Sequence, residues 1–533
     1  ILPKGVIYTN KFISLHLYIN MEEEKMKKKL ITILSLALFI FGCSSKDGEK
    51  KSDAPKEKVV VVSQGSKPKS LDPNMYNEIP ALAVTEQIFN TLLRVDDEGN
   101  VVPELAESYE YASPTELIIK IKKNVKFHNG DTLTVNDVVF SLNRMLEKPA
   151  SRIMVEIIDK IDIIDDSTIK LTLKNSSAPL LFSLAHPLTA ILNEKDTKAK
   201  NDMIATEPMG TGPYKFVSWG DGEKIEFVAF DDYFEGRPKI DKLIIRAITE
   251  NSSRLAALET GEIDIAYSIA PVDTGVIENN KKLELISAPT TSTEYMTLNT
   301  TKAPFNNKDF RVALNYALDK QSMADSVFMG KAKPATTIVN PNVFGYSSEV
   351  PGFEYNPEKA KELIKKSGVT NPNFKLYVND NAVRLQLAQI VQANFKEVGI
   401  DMEIETLEWG AYLQRTAQGE HTAFIGGWVS GTSDADIVLY PLLHSSSHGG
   451  AGNRAFYTNK EFDKEVEIAR ATSDPEVRKT HYKNAQMILQ EESPLIVLLY
   501  KNENIGINKR IKGFKYDPTT MHNLYNLDVV EVK

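Results

Sequence analysis

The stretch from Asn356 to Leu407, NPEKAKELIKKSGVTNPNFKLYVNDNAVRLQLAQIVQANFKEVGIDMEIETL, decides the fold class. Asn356 and Pro357 supply an N-cap and a first-turn proline for a helix that Gly368 is placed to end. Phe374 to Val378 reads as a strand and Val383 to Val398 as a helix stopped by Gly399, after which Ile400, Met402 and Ile404 alternate as the next strand. Strand, helix and strand in that order form a βαβ unit, so the chain is predicted to be α/β. A further strand, Thr422 to Trp428, runs into a Gly- and Ser-rich loop. Ligand crevices in α/β sheets lie beyond the carboxyl ends of strands, which makes the loop after Trp428 the first place to expect one.

Upstream, Leu117, Ile119 and Ile121 alternate in LIIKIKKNVKF as a strand, and Thr134 with Asp137 makes a capping-box start for a helix through Leu146. No fixed-period repeat is present, which excludes a solenoid. From Val59 onward no apolar run approaches twenty residues.

The chain has 533 residues, enough for two to four domains with cores of their own. Hydrophobic content of 42% and charged content of 25% are ordinary for a globular protein. Net charge is −9; residues 1–42 hold six Lys and three Glu, so the remainder carries −9 − 3 = −12. Phosphate neutralisation needs a basic footprint, and this argues against nucleic acid. The one cysteine, Cys43, excludes an internal disulfide and a cysteine zinc site.

Cys43 instead ends an export signal. Lys25, Lys27, Lys28 and Lys29 precede the apolar run Leu30 to Phe41 and then Gly42. Twelve residues rise about 18 Å as a helix, too short for a permanent span. Residues 1–25 are expected to be upstream sequence or n-region, with Met21 or Met26 as the start, and 26–42 the signal. Nine of the fifteen residues from Ser44 to Lys58 are charged, so 43–58 reads as a solvated tether.

The sequence contains no G-x-S-x-G, no H-E-x-x-H and no G-x-x-x-x-G-K-[ST]. His444 and His448 have i, i+4 spacing, yet Ser445, Ser446, Ser447, Gly449 and Gly450 around them read as loop, so no metal site or cofactor is expected. Asp434 and Asp436 could act as a carboxylate pair or contact a ligand, and Asp434 or Ser433 could equally cap the helix that begins there.

The ending Ile40-Phe41-Gly42-Cys43 resembles the bacterial lipoprotein box, which implies acylation of Cys43. Phe41 is bulkier than that box usually shows. LAESYEYASPTELIIKIKKNVKFHNGDTLTVNDVVFSLNRM, Leu105 to Met145, resembles the signature of the peptide-binding class of extracellular solute-binding proteins of ABC importers. MGTGPYKFVSW from Met209, FRVALNYALDKQ from Phe310 and GWVSGTSDADIVLYPLLHSS from Gly427 follow in family order.

The resemblance implies a two-lobed, periplasmic-binding-protein-like (class II) fold closing on its ligand. Lobe I would span 59–299 with a subdomain inserted at about 100–207, lobe II 300–500, and 501–533 would return to lobe I. The hinge would lie near Asn299 and Asn502. It also implies a short peptide as ligand, ABC permease and ATPase subunits as partners, an exported and lipid-anchored location, and a monomer.

Within that picture Asp434 or Asp436 is the candidate for a ligand's amino terminus, and Arg384 for its carboxylate. Trp428, Trp409 and Tyr295 are candidate aromatic walls. Dipeptide-binding relatives place an aspartate where this chain has Gly431, and their carboxylate-binding arginine aligns near Val378. Either shifted residues take over, or the ligand is a nickel chelate, glutathione, an opine, haem or a sugar. A surface peptidase using Asp434 and Asp436, and an adhesin or chaperone-like protein, are the alternatives of other classes.

Overall fold

A computed structural model describes residues 57–531 apart from 97–98, 221–222 and 451, so the signal segment and Cys43 lie outside the described residues. The expected βαβ unit is present. Strand Asn373–Asn379 passes through helix Ala382–Glu397 into strand Asp401–Leu407, and the two strands pair in parallel. Asn381 starts the helix by accepting from the backbone N–H of Arg384, and Gly399 turns the chain at φ 83°. The preceding helix, Pro357–Ser367, begins at Asn356 and ends at Gly368 with φ 73°, where a side chain would be strained.

Strand Ala423–Val429 joins this unit in parallel and pairs antiparallel with the long strand Leu283–Leu298. From the edge at 401–407 the large sheet runs 373–379, 423–429, 283–298, 495–508, 265–266, 59–64, 242–247, 224–229 and 214–220. Ala332–Pro334 adds to it on 495–508. Strands 283–298 and 495–508 are antiparallel partners whose pairing lapses between Pro289 and Thr293.

Two cores lie on either side of that lapse. Met296, Leu376, Phe395, Ile425 and Ile496 bury together in the second lobe, and Val60, Phe227, Leu243, Ile505 and Ile507 in the first. Each such side chain contributes about 1.5–3 kcal/mol by leaving water. The two long strands thus belong to both lobes.

Between 59–64 and 214–220 the chain builds a separate four-stranded antiparallel sheet in the order 106–113, 116–121, 168–173, 158–163. Leu117 and Ile119 are fully buried and Ile121 nearly so, which is the alternation the sequence shows. Helix Val135–Glu147 opens with the reciprocal Thr134–Asp137 capping box. After 508 the chain returns to the first lobe: 511–512 pairs with 528–529, and Leu524 and Leu527 enter the core beside Val60. Gln87 fixes the return by donating to the carbonyl of His522 and accepting from the backbone N–H of Leu524.

Candidate ligand site between the lobes

The loop after Trp428 leaves the sheet at the carboxyl end of 423–429. Trp428 lies opposite Thr293 in the ladder, and both the indole Nε1 and the Thr293 Oγ1 are buried without a hydrogen-bond partner among the described residues. Buried donors without partners are costly, so these atoms mark a place where a ligand has something to satisfy.

Asp434 is differently occupied. It is fully buried, its carboxylate pairs with Arg478 at 2.8 Å, and it accepts from the Asp436 backbone N–H at 2.9 Å. Helix Asp436–Leu443 has Ala435 at its N-cap, without a side-chain cap, so neither Asp434 nor Ser433 caps it as the sequence suggested. The physical reason is charge: a carboxylate this deep needs a cation, and Arg478 reaches it from helix Pro475–Glu492. Asp436 pairs with Arg470 at 3.0 Å, and Arg470 lies 3.7 Å over the Tyr440 ring. Burial pushes the Asp436 carboxyl up to about 6 against the pull of Arg470.

Arg384 meets Glu294. Its Nε lies 3.0 Å from one carboxylate oxygen, Lys501 Nζ lies 3.2 Å from the other, and Arg384 also donates to the Asn379 side chain at 3.2 Å. Burial alone would raise Glu294; the charges of Arg384 and Lys501 override it and hold the carboxyl down to about 2. Two cations on one carboxylate leave a net charge of +1 on this wall. Gly427 makes the arrangement possible, because a Cβ there would sit 2.6 Å from both Arg384 Nη2 and Glu294 Oε1.

Tyr295 is buried, and burial pushes its hydroxyl up to about 12. It packs in one cluster with Tyr412 and Phe424, with Trp428 against the edge. Trp409 is 41% exposed and stacks on Tyr412 at 5.5 Å. The structure therefore brings Arg384, Trp428 and Tyr295 to neighbouring strand ends, and connects Trp409 to them through Tyr412. Tyr412, Glu294 and Lys501 had no part in the sequence reading. The glycine pair Gly426-Gly427 is the signal that something packs flat on that strand.

The first lobe supplies the opposite wall, where strands 59–64 and 265–266 end. His522 packs at tilted angles against Tyr267 at 5.0 Å, Phe514 at 5.2 Å and Tyr516 at 5.6 Å. Glu503 accepts from the Ser268 backbone N–H at 2.7 Å and from its hydroxyl at 3.0 Å. Glu86 Oε2 is buried with no hydrogen-bond partner among the described residues. Burial raises the pKa of both acids, and the charges of Asp517 and Glu104 raise Glu86 further.

The walls meet around the Trp428 loop. A Cβ on Gly431 would lie 2.7 Å from His186 Nε2 and 3.8 Å from Met521 Cε, so an aspartate at this position has no room in this state. The Thr291 backbone N–H donates to the Pro518 carbonyl at 2.8 Å, and the Tyr516 hydroxyl donates to the carbonyls of Ala288 and Pro289. Farther out, the Ala178 N–H donates to the Arg470 carbonyl at 3.0 Å. An open groove of about 720 Å³ lined by His128, Lys215 and Trp219 includes no residue of this seam.

His444 and His448 do not converge. The first turns Nε2 toward Glu467 and the second faces the Tyr457 carbonyl. Among the described residues no three His, Cys, Asp or Glu side chains gather as metal ligands.

Comparison with known proteins fits this architecture. The model of the bacterial extracellular solute-binding proteins, family 5 Middle, matches residues 100–450, and the chain belongs to that family. It is 31% identical over 491 residues to the glutathione-binding protein GsiB of Pectobacterium atrosepticum, covering 89% of this chain and 95% of that one. Among solved structures it is similar to the ABC transporter-associated periplasmic binding protein DppA of Helicobacter pylori in complex with peptide STSA. That likeness has a TM-score of 0.79 and 28% identity, over 88% of this chain and 98% of that one. It is also similar to NikA of Staphylococcus aureus in complex with Ni(L-His)2, with a TM-score of 0.77 and 25% identity, over 89% and 100% of the two chains. The chain is a substrate-binding protein of the ABC-importer class, and its two lobes are those of that fold.

Proposed function

We propose that this chain captures a short peptide or a peptide-like zwitterion such as glutathione, and delivers it chemically unchanged to an ABC permease. The observation that carries the reading is the pair of walls with opposite character. Arg384, Lys501 and Glu294 leave one positive charge on the second lobe, while Glu86 gives the first lobe a buried carboxyl whose charged neighbours are the acids Asp517 and Glu104. A ligand with an ammonium at one end and a carboxylate at the other matches both, and Trp428 offers an indole face and a free N–H to its middle. Arg384 serves the carboxylate together with Lys501, with Glu294 holding both in place.

Capture proceeds by hinge closure. The hinge lies where ladder pairing lapses, at Pro289–Thr293 and beside Tyr500 and Asn502, which is earlier on the first strand than Asn299. Export, acylation of Cys43 and anchoring at the cell envelope complete the reading, with the tether 43–58 keeping the lobes clear of the lipid. The protein acts as a monomer and catalyses no reaction.

Titration calorimetry of the full chain with trialanine, glutathione and nickel–histidine tests the ligand class. Trialanine or glutathione is expected to bind at micromolar concentration or tighter, which corresponds to about −8 kcal/mol. Binding of nickel–histidine alone would overturn the peptide reading. Mass spectrometry after incubation is expected to return trialanine intact, and its cleavage would overturn the receptor reading.

A further inference from the structure

The acids of the Trp428 loop are unavailable to a ligand's amine. Asp434 belongs to Arg478, Asp436 to Arg470, and the Gly431 position is filled by His186. Glu294 already holds two cations. On the first lobe the situation is reversed, since Glu86 follows helix Ile79–Thr85 with one carboxylate oxygen buried and without a hydrogen-bond partner among the described residues. Its charged neighbours are Asp517 and Glu104, both of its own sign.

His522 is a second and independent observation on the same wall. It is 2% exposed, and its Nδ1 accepts from the Asp517 backbone N–H at 3.1 Å. Burial drives its pKa down to about 3, so the ring is neutral and the accepting Nδ1 leaves the proton on Nε2. That Nε2–H has no acceptor among the described residues. The Tyr267 ring links the two groups, in contact with His522 at 5.0 Å and within the electrostatic reach of Glu86.

From this we infer that Glu86 and His522 on the first lobe form the subsite for a ligand's amino-terminal ammonium and its adjoining carbonyl. Glu86 receives the ammonium and the His522 Nε2–H donates to the carbonyl oxygen. An α-aminoacyl end presents a cation and an acceptor atom three bonds apart, the complement of what this wall leaves unsatisfied. The subsite deepens the peptide reading and rests on it. It places the amine on the lobe opposite Asp434 and Asp436.

The test is a thermodynamic cycle on the full chain, measuring trialanine and N-acetyl-trialanine against the wild type and Glu86→Gln. Acetylation is expected to weaken binding about 30-fold or more in the wild type and less than threefold in the variant. Free trialanine should weaken about 30-fold on Glu86→Gln. Burial and the charges of Asp517 and Glu104 oppose ionisation of Glu86 and an arriving ammonium favours it, so trialanine binding should show a buffer-dependent heat of proton release that is smaller in Glu86→Gln. His522→Gln, which keeps a donor, should weaken trialanine less than His522→Leu. If Glu86→Gln binds trialanine as the wild type does, or if acetylation costs both proteins the same, the subsite is overturned and the peptide reading stands. If the wild type binds neither trialanine nor glutathione, the peptide reading falls and the subsite with it.

Discussion

The loop after Trp428 and the wall formed by Glu86, Tyr267 and His522 face one seam but treat buried charge in opposite ways. In the loop each carboxylate has its own arginine: Asp434 with Arg478 and Asp436 with Arg470. On the wall a carboxylate oxygen and an imidazole N–H are buried with nothing to bind among the described residues. The first arrangement is self-sufficient and serves to shape a loop. The second is incomplete, and incompleteness is what the proposed subsite needs, because a partner supplied by the fold would compete with the ligand. What sets Glu86 apart from Asp434 and Asp436 in the proposed subsite is therefore the lack of an arginine beside it among the described residues, not its acidity.

The largest expected effect tests that contrast directly. Arg478→Ala strands Asp434 in the interior and should cost about 3–5 kcal/mol in urea unfolding. Glu86→Gln should leave the midpoint unchanged or higher, since it removes a carboxyl whose ionisation burial opposes. Equal losses in the two variants would break the distinction.

Glu294 falls between the two cases, being paired yet at the crevice. Its folded pKa lies below the unfolded value, so its stabilisation is complete above about pH 4.5 and disappears as pH falls toward 2. The wild type should lose about 2 kcal/mol from this group between pH 6 and pH 3, and Glu294→Gln should not. Denaturant titrations at the two pH values measure it.

Gly427→Ala sharpens the geometry of the same wall. Its Cβ would displace the Arg384–Glu294 pair, at a cost of about 1–2 kcal/mol in stability. Trialanine affinity should fall with it if that pair positions the ligand's carboxylate.

His186, which fills the space beside Gly431, gives the smallest effect. Burial lowers its pKa to about 4, so the unfolded chain takes up the proton first and stability falls as pH drops below about 6.5. Between pH 7 and 5.5 the wild type should lose about 1 kcal/mol more than His186→Gln, read from unfolding midpoints.

Legibility in the sequence follows the range of the interaction. The βαβ unit at 373–407, the Asn356 and Thr134 caps and the Gly368 and Gly399 stops depend on neighbours within a turn or two, and the structure has each of them. Asp434 was legible as a cap or a ligand contact but not as half of an ion pair, because the sequence shows Asp-Ala-Asp before an apolar helix and its arginine stands 44 residues downstream. Arg384 was visible at a helix start, but nothing local announces Glu294 or Lys501, which strand pairing brings to it. Glu86 had one faint mark, a carboxylate in the otherwise uncharged run from Ile79 to Leu93. Its meaning came only from the return of the chain's last thirty residues.

That return has a consequence for how the molecule is made. The first lobe begins at Val59, yet its core waits for Ile505, Ile507, Leu524 and Leu527, and Lys58 closes on Asp528. Nearly the whole polypeptide must be synthesised before this half can lock.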